Sequence, residues 1–287
     1  MLDVLIALLP TTVAGVIIFG IRALFVILAS VAAAVLTEFL FCLAAKRKNT
    51  VPDLSAAVTG LLLALNLPAN IPIWQTVIGA VFSILCVKCL FGGIGQNFAN
   101  PAITGRIFMI VAFTNTTAAA FPKAVDTVAG ATPLVVLLGK GDVSLLDLLL
   151  GIRGGAIGEV CTLAILIGFV YLLVRRVIRP FAPLAFVLTV FVLSLIFEGG
   201  DFVRAAAWCM SGGLMLGAVF MATDYSTTPI TDLGKIVFGV GAGLITVVIR
   251  FFGSYPEGVS FAILLMNILT PYIERLTQKK PFGGKIG

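Results

Sequence analysis

The chain has 287 residues, 60% of them hydrophobic and only 11% charged, and its mean hydropathy is +1.16. A soluble domain carries about 25% charged residues, so this composition excludes an ordinary water-soluble fold and points to a bilayer, where charge is costly. The net charge is +6 and histidine is absent. The basic residues gather at the ends of apolar runs, which is a topology signal and not a nucleic-acid footprint. The lack of histidine excludes His-ligated haem, most catalytic metal sites and imidazole proton relays.

A spanning helix needs about 20 apolar residues. In chain order, ten runs qualify, at roughly 3–19, 23–45, 54–68, 74–91, 98–119, 155–174, 180–197, 203–222, 234–252 and 258–274. No cleavable signal-peptide pattern precedes the first. The third is short and ends at Asn66-Leu67-Pro68, which reads as a broken helix. Lys46-Arg47-Lys48, then Arg175-Arg176 with Arg179, then Arg275 with Lys279, Lys280 and Lys285 all fall on one side of a ten-span chain. That side is then cytoplasmic, both termini are cytoplasmic, and the polar stretch Asp126–Thr132 is extracytoplasmic.

The two halves echo each other. Residues 55–68 have a counterpart in 210–224, and 77–92 in 237–253. Five spans per half place the halves in opposite orientations, the inverted-repeat plan of many transporters, whose sites lie at broken helices near the midplane. The predicted organisation is a first five-helix repeat over 1–119, an extracytoplasmic loop over 120–154 and a second five-helix repeat over 155–287.

Two breaks stand out in the first half, at 66–72 and at 91–102. In the second of these Asn97 and Asn100, three residues apart, read either as amides facing one neutral heterocycle or as helix caps before Pro101. In the second half, Asp224 follows Met221-Ala222-Thr223 at the cytoplasmic mouth, where an ion path and a simple cap are equally good readings. Glu38, Lys88 and Glu159 lie near enough to span ends to snorkel. Arg106 lies deeper and calls for an acid or an anionic ligand. Cys86 and Cys89 form a lone C-x-x-C within an apolar run and read as small packing residues.

Taken together, Met1-Leu2-Asp3-Val4-Leu5-Ile6-Ala7-Leu8-Leu9-Pro10, Thr59-Gly60-Leu61-Leu62, Gly93-Ile94-Gly95-Gln96-Asn97-Phe98-Ala99-Asn100-Pro101, Gly130-Ala131-Thr132-Pro133, Gly155-Ala156-Ile157-Gly158-Glu159 and Phe220-Met221-Ala222-Thr223-Asp224 are spread along essentially the whole chain. In this order they resemble the D subunit of the Rnf electron-transport complexes and, more distantly, the B subunit of the sodium-translocating NADH:quinone reductase. The resemblance implies an all-α, urea-transporter-like fold with about ten spans in a 5 + 5 inverted repeat. It implies FMN bound covalently through its phosphate to Thr132, within a pattern made by Asp126, Gly130 and Ala131. Ala129 stands where that pattern has serine or threonine. It also implies a non-covalent riboflavin near Asn97 and Asn100. Arg106 is a further candidate for neutralising flavin charge. The implied partners are the other Rnf subunits, A, B, C, E and G, a flavin transferase during maturation, and membrane lipid.

The function so implied is electron transfer between ferredoxin and NAD coupled to sodium or proton translocation, in a subunit with no NAD or ferredoxin site of its own. A quinone-reductase B subunit and a cofactor-free solute channel of the same fold remain as alternatives. The expected location is a prokaryotic cytoplasmic membrane.

Overall fold

A computed structural model describes residues 1–113, 132–139, 141–253 and 258–278. Among these residues the chain is helical and contains no strand. The first half consists of α1 (Leu2–Phe19), α2 (Ile21–Ala44), α3 (Ser55–Leu65), α4 (Ile73–Cys89, π-helical over Ser83–Cys89) and α5 (Pro101–Ala112). Two short helices follow, α6 (Pro133–Leu138) and α7 (Leu145–Leu150). The second half consists of α8 (Thr162–Val174), α9 (Phe181–Phe197), α10 (Phe202–Met210), α11 (Leu214–Met221, π-helical over Gly217–Met221), α12 (Asp232–Phe252) and α13 (Val259–Thr277).

Four helices, α1, α2, α12 and α13, are long and apolar enough to cross a membrane alone, and α10 with α11, bent by 63° at their break, pass the same test only as a pair. Helices α3, α4, α5, α8 and α9 are apolar but shorter, at 10–17 residues. The bend shows that the predicted run 203–222 is two helices and not one. The predicted run 155–174 is also corrected: its helix begins only at Thr162, and residues 155–160 are a buried, non-helical strap.

The outer surface is as apolar as the core, and a minority of polar side chains is buried among the apolar ones. Ile17 and Leu276 are 76% and 85% exposed, while Ser30, Asn66, Arg106 and Arg250 are buried. Lipid tails give no hydrophobic drive for one helix to meet another, so close backbone approach and interhelical hydrogen bonds must do so. At the α2–α3 crossing, a Cβ on Gly60 would lie 2.9 Å from Ser30 O, Val31 Cα and Ala34 Cβ, and Ser30 Oγ donates to Gly60 O at 2.7 Å. Helices α9 and α12 run parallel through the Gly239-x-x-x-Gly243 face. A Cβ on Gly239 would stand 2.6 Å from Ala182 O, and one on Gly243 would stand 2.6 Å from Thr189 Cβ. Helices α1 and α8 are antiparallel: Asp3 accepts from Tyr171 and Arg175 at one end, and Gly15 abuts Ile157 at the other.

Each helix break must satisfy its carbonyl and amide groups within the protein. The end of α3 is covered by the strap, through Gly158 N–H to Leu65 O (2.7 Å) and Ile157 N–H to Leu67 O (3.0 Å). The strap is held in turn by Arg153, whose Nε donates to Val160 O (3.0 Å) and whose Nη2 donates to Glu159 O (2.5 Å). At the α10–α11 bend, Arg250 Nη1 donates to Trp208 O (2.8 Å), and Nη2 donates to Ser211 O (2.8 Å) and Gly212 O (3.3 Å). A cation at a helix C-terminus also opposes the negative end of the helix dipole.

Gly158 is the tightest point of the strap, since a Cβ there would lie 2.6 Å from Leu65 Cβ and 3.1 Å from Leu65 O. Gly158→Ala is therefore expected to lower stability by about 1–3 kcal/mol, read as a lower midpoint in a sodium dodecyl sulfate titration. Gly139→Ala, where an added Cβ meets nothing closer than 3.5 Å, is the control and should stay within about 0.5 kcal/mol of the parent. Equal midpoints for the two variants would contradict the strap's role.

Candidate functional site

The connection before α5, the connection after α11 and the two π-helical segments converge on a cavity of about 150 Å³ at the end of the molecule that carries Met1 and the turn after α8. Ser55 and Thr59 reach it from the first turns of α3, Lys88 from the π-helical part of α4, Asn97 and Asn100 from the connection to α5, and Asp224 from the connection after α11. The connection 90–100 can fold back because Gly92, Gly93 and Gly95 take φ of 118°, 105° and 83°, which residues with a Cβ rarely adopt. A π-turn inserts one residue per turn and shifts the following side chains around the helix. Here it places Lys88 inward, where it is 3% exposed.

Asn100 caps α5. Its Oδ1 accepts from Ala102 N (3.0 Å) and Ile103 N (3.4 Å), and Pro101 follows at the first helical position. Asn97 Nδ2 donates to Ala99 O (3.0 Å) and to Ser226 Oγ (3.4 Å), which ties the 90–100 connection to the one after α11. Both asparagines also line the cavity, so capping and cavity formation coexist. Asp224 accepts from Ser226 N (3.2 Å), Ser226 Oγ (3.0 Å) and Thr227 Oγ1 (3.2 Å). Burial raises its pKa above the usual aspartate value, and these hydrogen bonds act in the opposite direction. It caps the turn that follows it and lies on the cavity wall.

Glu38 and Lys88 do not snorkel. They are 2% and 3% exposed and form an ion pair at 2.7 Å. Thr50 Oγ1 donates to the same oxygen, Glu38 Oε1, at 2.7 Å, and Lys88 Nζ also donates to Ser55 Oγ. Glu38 Oε2 is buried without a hydrogen-bond partner among the described residues. Glu159 is likewise buried. Its backbone lies in the strap, not in a helix, so the snorkelling expectation fails there too.

Arg106 stands apart from this cavity. Its Nη1 donates to Asn66 Oδ1 at 2.7 Å, while Asn66 Nδ2 donates to Leu62 O (2.7 Å) and lies 3.7 Å from Met221 Sδ. The ends of α3 and α11 thus meet at Asn66 and Met221. A Cβ on Gly213 would lie 3.1 Å from Glu159 Oε2 and 3.5 Å from Arg106 Nη1, so acid and cation flank the start of α11 together.

Thr132 lies elsewhere, immediately before α6. It is half-buried, and its hydroxyl makes no capping bond to that helix. Helix α6 packs through Leu134 and Leu137 against Ala207 and Trp208 of α10, and Leu137 O accepts from Arg204 Nη2 at 3.1 Å. Asp126, Gly130 and Ala131 lie outside the described residues.

A second cavity, of about 250 Å³, shares Val177, Ile178, Thr223 and Tyr225 with the first and is flanked by Arg176, Arg179 and Lys235. Sequence reading did not single out Ser55, Thr59 or the 175–179 turn as cavity walls, nor Arg153 and Arg250 as carbonyl anchors. Arg250, an arginine inside an apolar run, was the one visible signal among them. All five cysteines are free, and no His/Cys/Asp/Glu cluster able to hold a metal occurs among the described residues.

A family model described as the NQR2, RnfD, RnfE family matches residues 1–283. The chain is 44% identical, over 99% of its length and 90% of the relative's, to the D subunit of the Na(+)-translocating ferredoxin:NAD(+) oxidoreductase complex of Acetobacterium woodii. It is 40% identical, over 99% and 91%, to the D subunit of the proton-translocating ferredoxin:NAD(+) oxidoreductase complex of Clostridium ljungdahlii. It is 35% identical, over 98% and 90%, to the D subunit of the ion-translocating oxidoreductase complex of Methanosarcina acetivorans.

Breaking a buried pair strands a charge, at a cost of about 3–5 kcal/mol, whereas replacing both partners by apolar groups can be neutral. Lys88→Met is therefore expected to destabilise strongly in detergent unfolding. Glu38→Leu combined with Lys88→Met should recover most of the loss. A double variant no better than the single one would mean that the pair is not coupled as the geometry requires.

Proposed function

The chain belongs to the NQR2, RnfD, RnfE family, and from that membership we propose that it is the D subunit of an ion-translocating ferredoxin:NAD oxidoreductase complex. The match across 1–283, with the three relatives above each named as a D subunit, carries this reading. The protein works in electron transport coupled to ion translocation, as a multi-pass membrane protein alongside the other Rnf subunits, A, B, C, E and G. The relatives' names include both sodium and proton, and either ion fits this chain. The family description also takes in the quinone-reductase subunit, but the near-full-length relatives favour the Rnf complex.

The finer architecture in this reading is ten crossings in two inverted halves of five, with residues 120–154 between them on the extracytoplasmic side and both termini cytoplasmic. Three features support it. The residues preceding α3 and α11, Leu54 and Gly213, share one left-handed conformation, with φ/ψ of 64°/7° and 66°/6°. The equivalent helices α1 and α8 pack antiparallel. The ends of α3 and α11 meet at Asn66 and Met221.

In the same reading the subunit carries two flavins. Bound flavin supplies the capacity to accept and pass on electrons one or two at a time; the protein supplies placement and electrostatics. Thr132 would hold FMN as a phosphoester through its hydroxyl oxygen, after a flavin transferase has acted on the Asp126–Thr132 segment. A half-buried hydroxyl with no capping duty fits that role.

Riboflavin would take the cavity at Asn97 and Asn100, whose walls offer amide, hydroxyl and ammonium groups beside Leu62, Leu172 and Phe220. At about 150 Å³ this space is below the roughly 300–1,000 Å³ of preformed ligand pockets. Occupation therefore requires this cavity to widen. Asp224 at the same wall is the proposed ion-path residue. Arg106, at the α3–α11 junction, would add positive potential from a distance and not by contact.

Run on a denaturing gel after co-expression with the transferase, the wild-type band should fluoresce as flavin and Thr132→Ala should be dark. A dark wild type, or a fluorescent variant, removes the tether. For the second flavin, Asn97→Ser with Asn100→Ser preserves a cap at α5 while deleting both amides. Acid-extractable riboflavin should fall severalfold while covalent FMN stays constant. Unchanged riboflavin would detach these residues from the flavin.

A further inference from the structure

The second cavity has no part in the electron-transfer reading, yet its chemistry is specific. Arg176 and Arg179 enter it from the turn between α8 and α9, and Lys235 enters from the first turn of α12. Asp232 is taken by Arg179 as an ion pair, and Glu274 Oε1 accepts the Ile230 N–H at 3.1 Å. Arg176 and Lys235 form no ion pair among the described residues, so positive charge on this cavity is left uncompensated.

The backbone adds to this. Arg176 has φ 55°, the left-handed position just past a helix end, with Arg176 N–H on Leu173 O (3.0 Å) and Val177 N–H on Leu172 O (2.9 Å). Glycine is the residue that adopts this position without strain. An arginine here accepts a conformational cost and delivers a cation to the cavity mouth.

The cavity sits where the apolar surface begins. From it, α9 exposes Phe181, Leu184 and Leu188 at helical spacing, and α12 exposes Leu233, Val237 and Val240. A cationic cavity at the head of two lipid-facing apolar stripes matches an amphiphile with an anionic head and acyl tails. A soluble anion would use the cations and leave the stripes unused.

We propose that this cavity binds the phosphate group of an anionic phospholipid, with Arg176 and Lys235 neutralising the headgroup and the acyl chains lying along α9 and α12. Arg179 shares its charge between Asp232 and the phosphate. Because the site lies against Thr223 and Tyr225, which also wall the first cavity, the bound headgroup steadies the connection that carries Asp224.

The test uses the intact complex reconstituted in nanodiscs of phosphatidylcholine alone or with phosphatidylglycerol. Phosphatidylglycerol should raise the wild-type melting temperature and remain bound through native mass spectrometry. Each cation near an anionic headgroup contributes about 1 kcal/mol, so Arg176→Gln with Lys235→Gln should weaken retention roughly tenfold to thirtyfold. Arg176→Lys with Lys235→Arg should retain the lipid, which separates charge from misfolding. Inorganic phosphate is tested in parallel and should have no effect at millimolar concentration. If phosphate alone reproduces the stabilisation, the lipid assignment is overturned. It is equally overturned if the glutamine variant retains phosphatidylglycerol as wild type does. Flavin fluorescence in the glutamine variant should be unchanged, so failure here is distinguishable from failure of the flavin reading.

Discussion

The constraint on which the structure depends is that broken helices in hydrocarbon must find partners for their freed backbone groups inside the protein. Helices α3 and α10 both stop inside the protein, and each stop is met by a different device. At α3 the strap 155–160 supplies amides to Leu65 and Leu67, and Arg153 holds the strap's own carbonyls. At α10 a single guanidinium, Arg250, takes three carbonyls. Arginine suits both places because its fork donates several bonds from one rigid plane. Without these anchors the two breaks could not be buried within the protein.

Buried charge follows the same logic. The Lys88–Glu38 pair sits at the cavity edge with two hydroxyls, Thr50 and Ser55, completing its bonds. Pairs of this kind rarely add stability over an apolar replacement; their presence beside a cavity is better accounted for by what they place there. Lys88 puts an ammonium on the same cavity wall system as the Asp224 carboxylate, so the cavity holds both signs of charge. The π-helical turn is what aims it, and a regular helix through Ser83–Cys89 would rotate Lys88 to a different face.

Much of this architecture was legible from periodicity and composition, because an apolar run long enough to span carries its own signal. The break after Asn66 was marked by Pro68, and the cap at Asn100 by Pro101. The strap was misread as the start of a span, since Gly155-Ala156-Ile157-Gly158 is as apolar as a helix and only its contact with Leu65 reveals its role. The 63° bend was hidden for the same reason: Gly212-Gly213 lies in continuous apolar sequence. The ion pair was illegible because its partners are 50 residues apart and meet only through tertiary packing. The snorkelling expectation failed because it counted distance to a span end and could not see the π-turn that points Lys88 inward.

The two proposed flavin positions are separated by the length of one helix. Val177 and Ile178, on the cavity, precede α9, and Glu198, which binds Arg204 at 2.6 Å, follows it. Arg204 in turn holds Leu137 of α6, the helix that begins just after Thr132. Seventeen helical residues rise about 25 Å at 1.5 Å each. A tether at Thr132 therefore serves the opposite end of the protein from the cavity, and an attachment at that end would bring its flavin to partner subunits instead of holding it against this cavity. Covalent attachment suits that position. In the proposed reading the flavin at Thr132 is held by a bond, whereas the one beside Asn97, Asn100 and Lys88 is held by contacts alone.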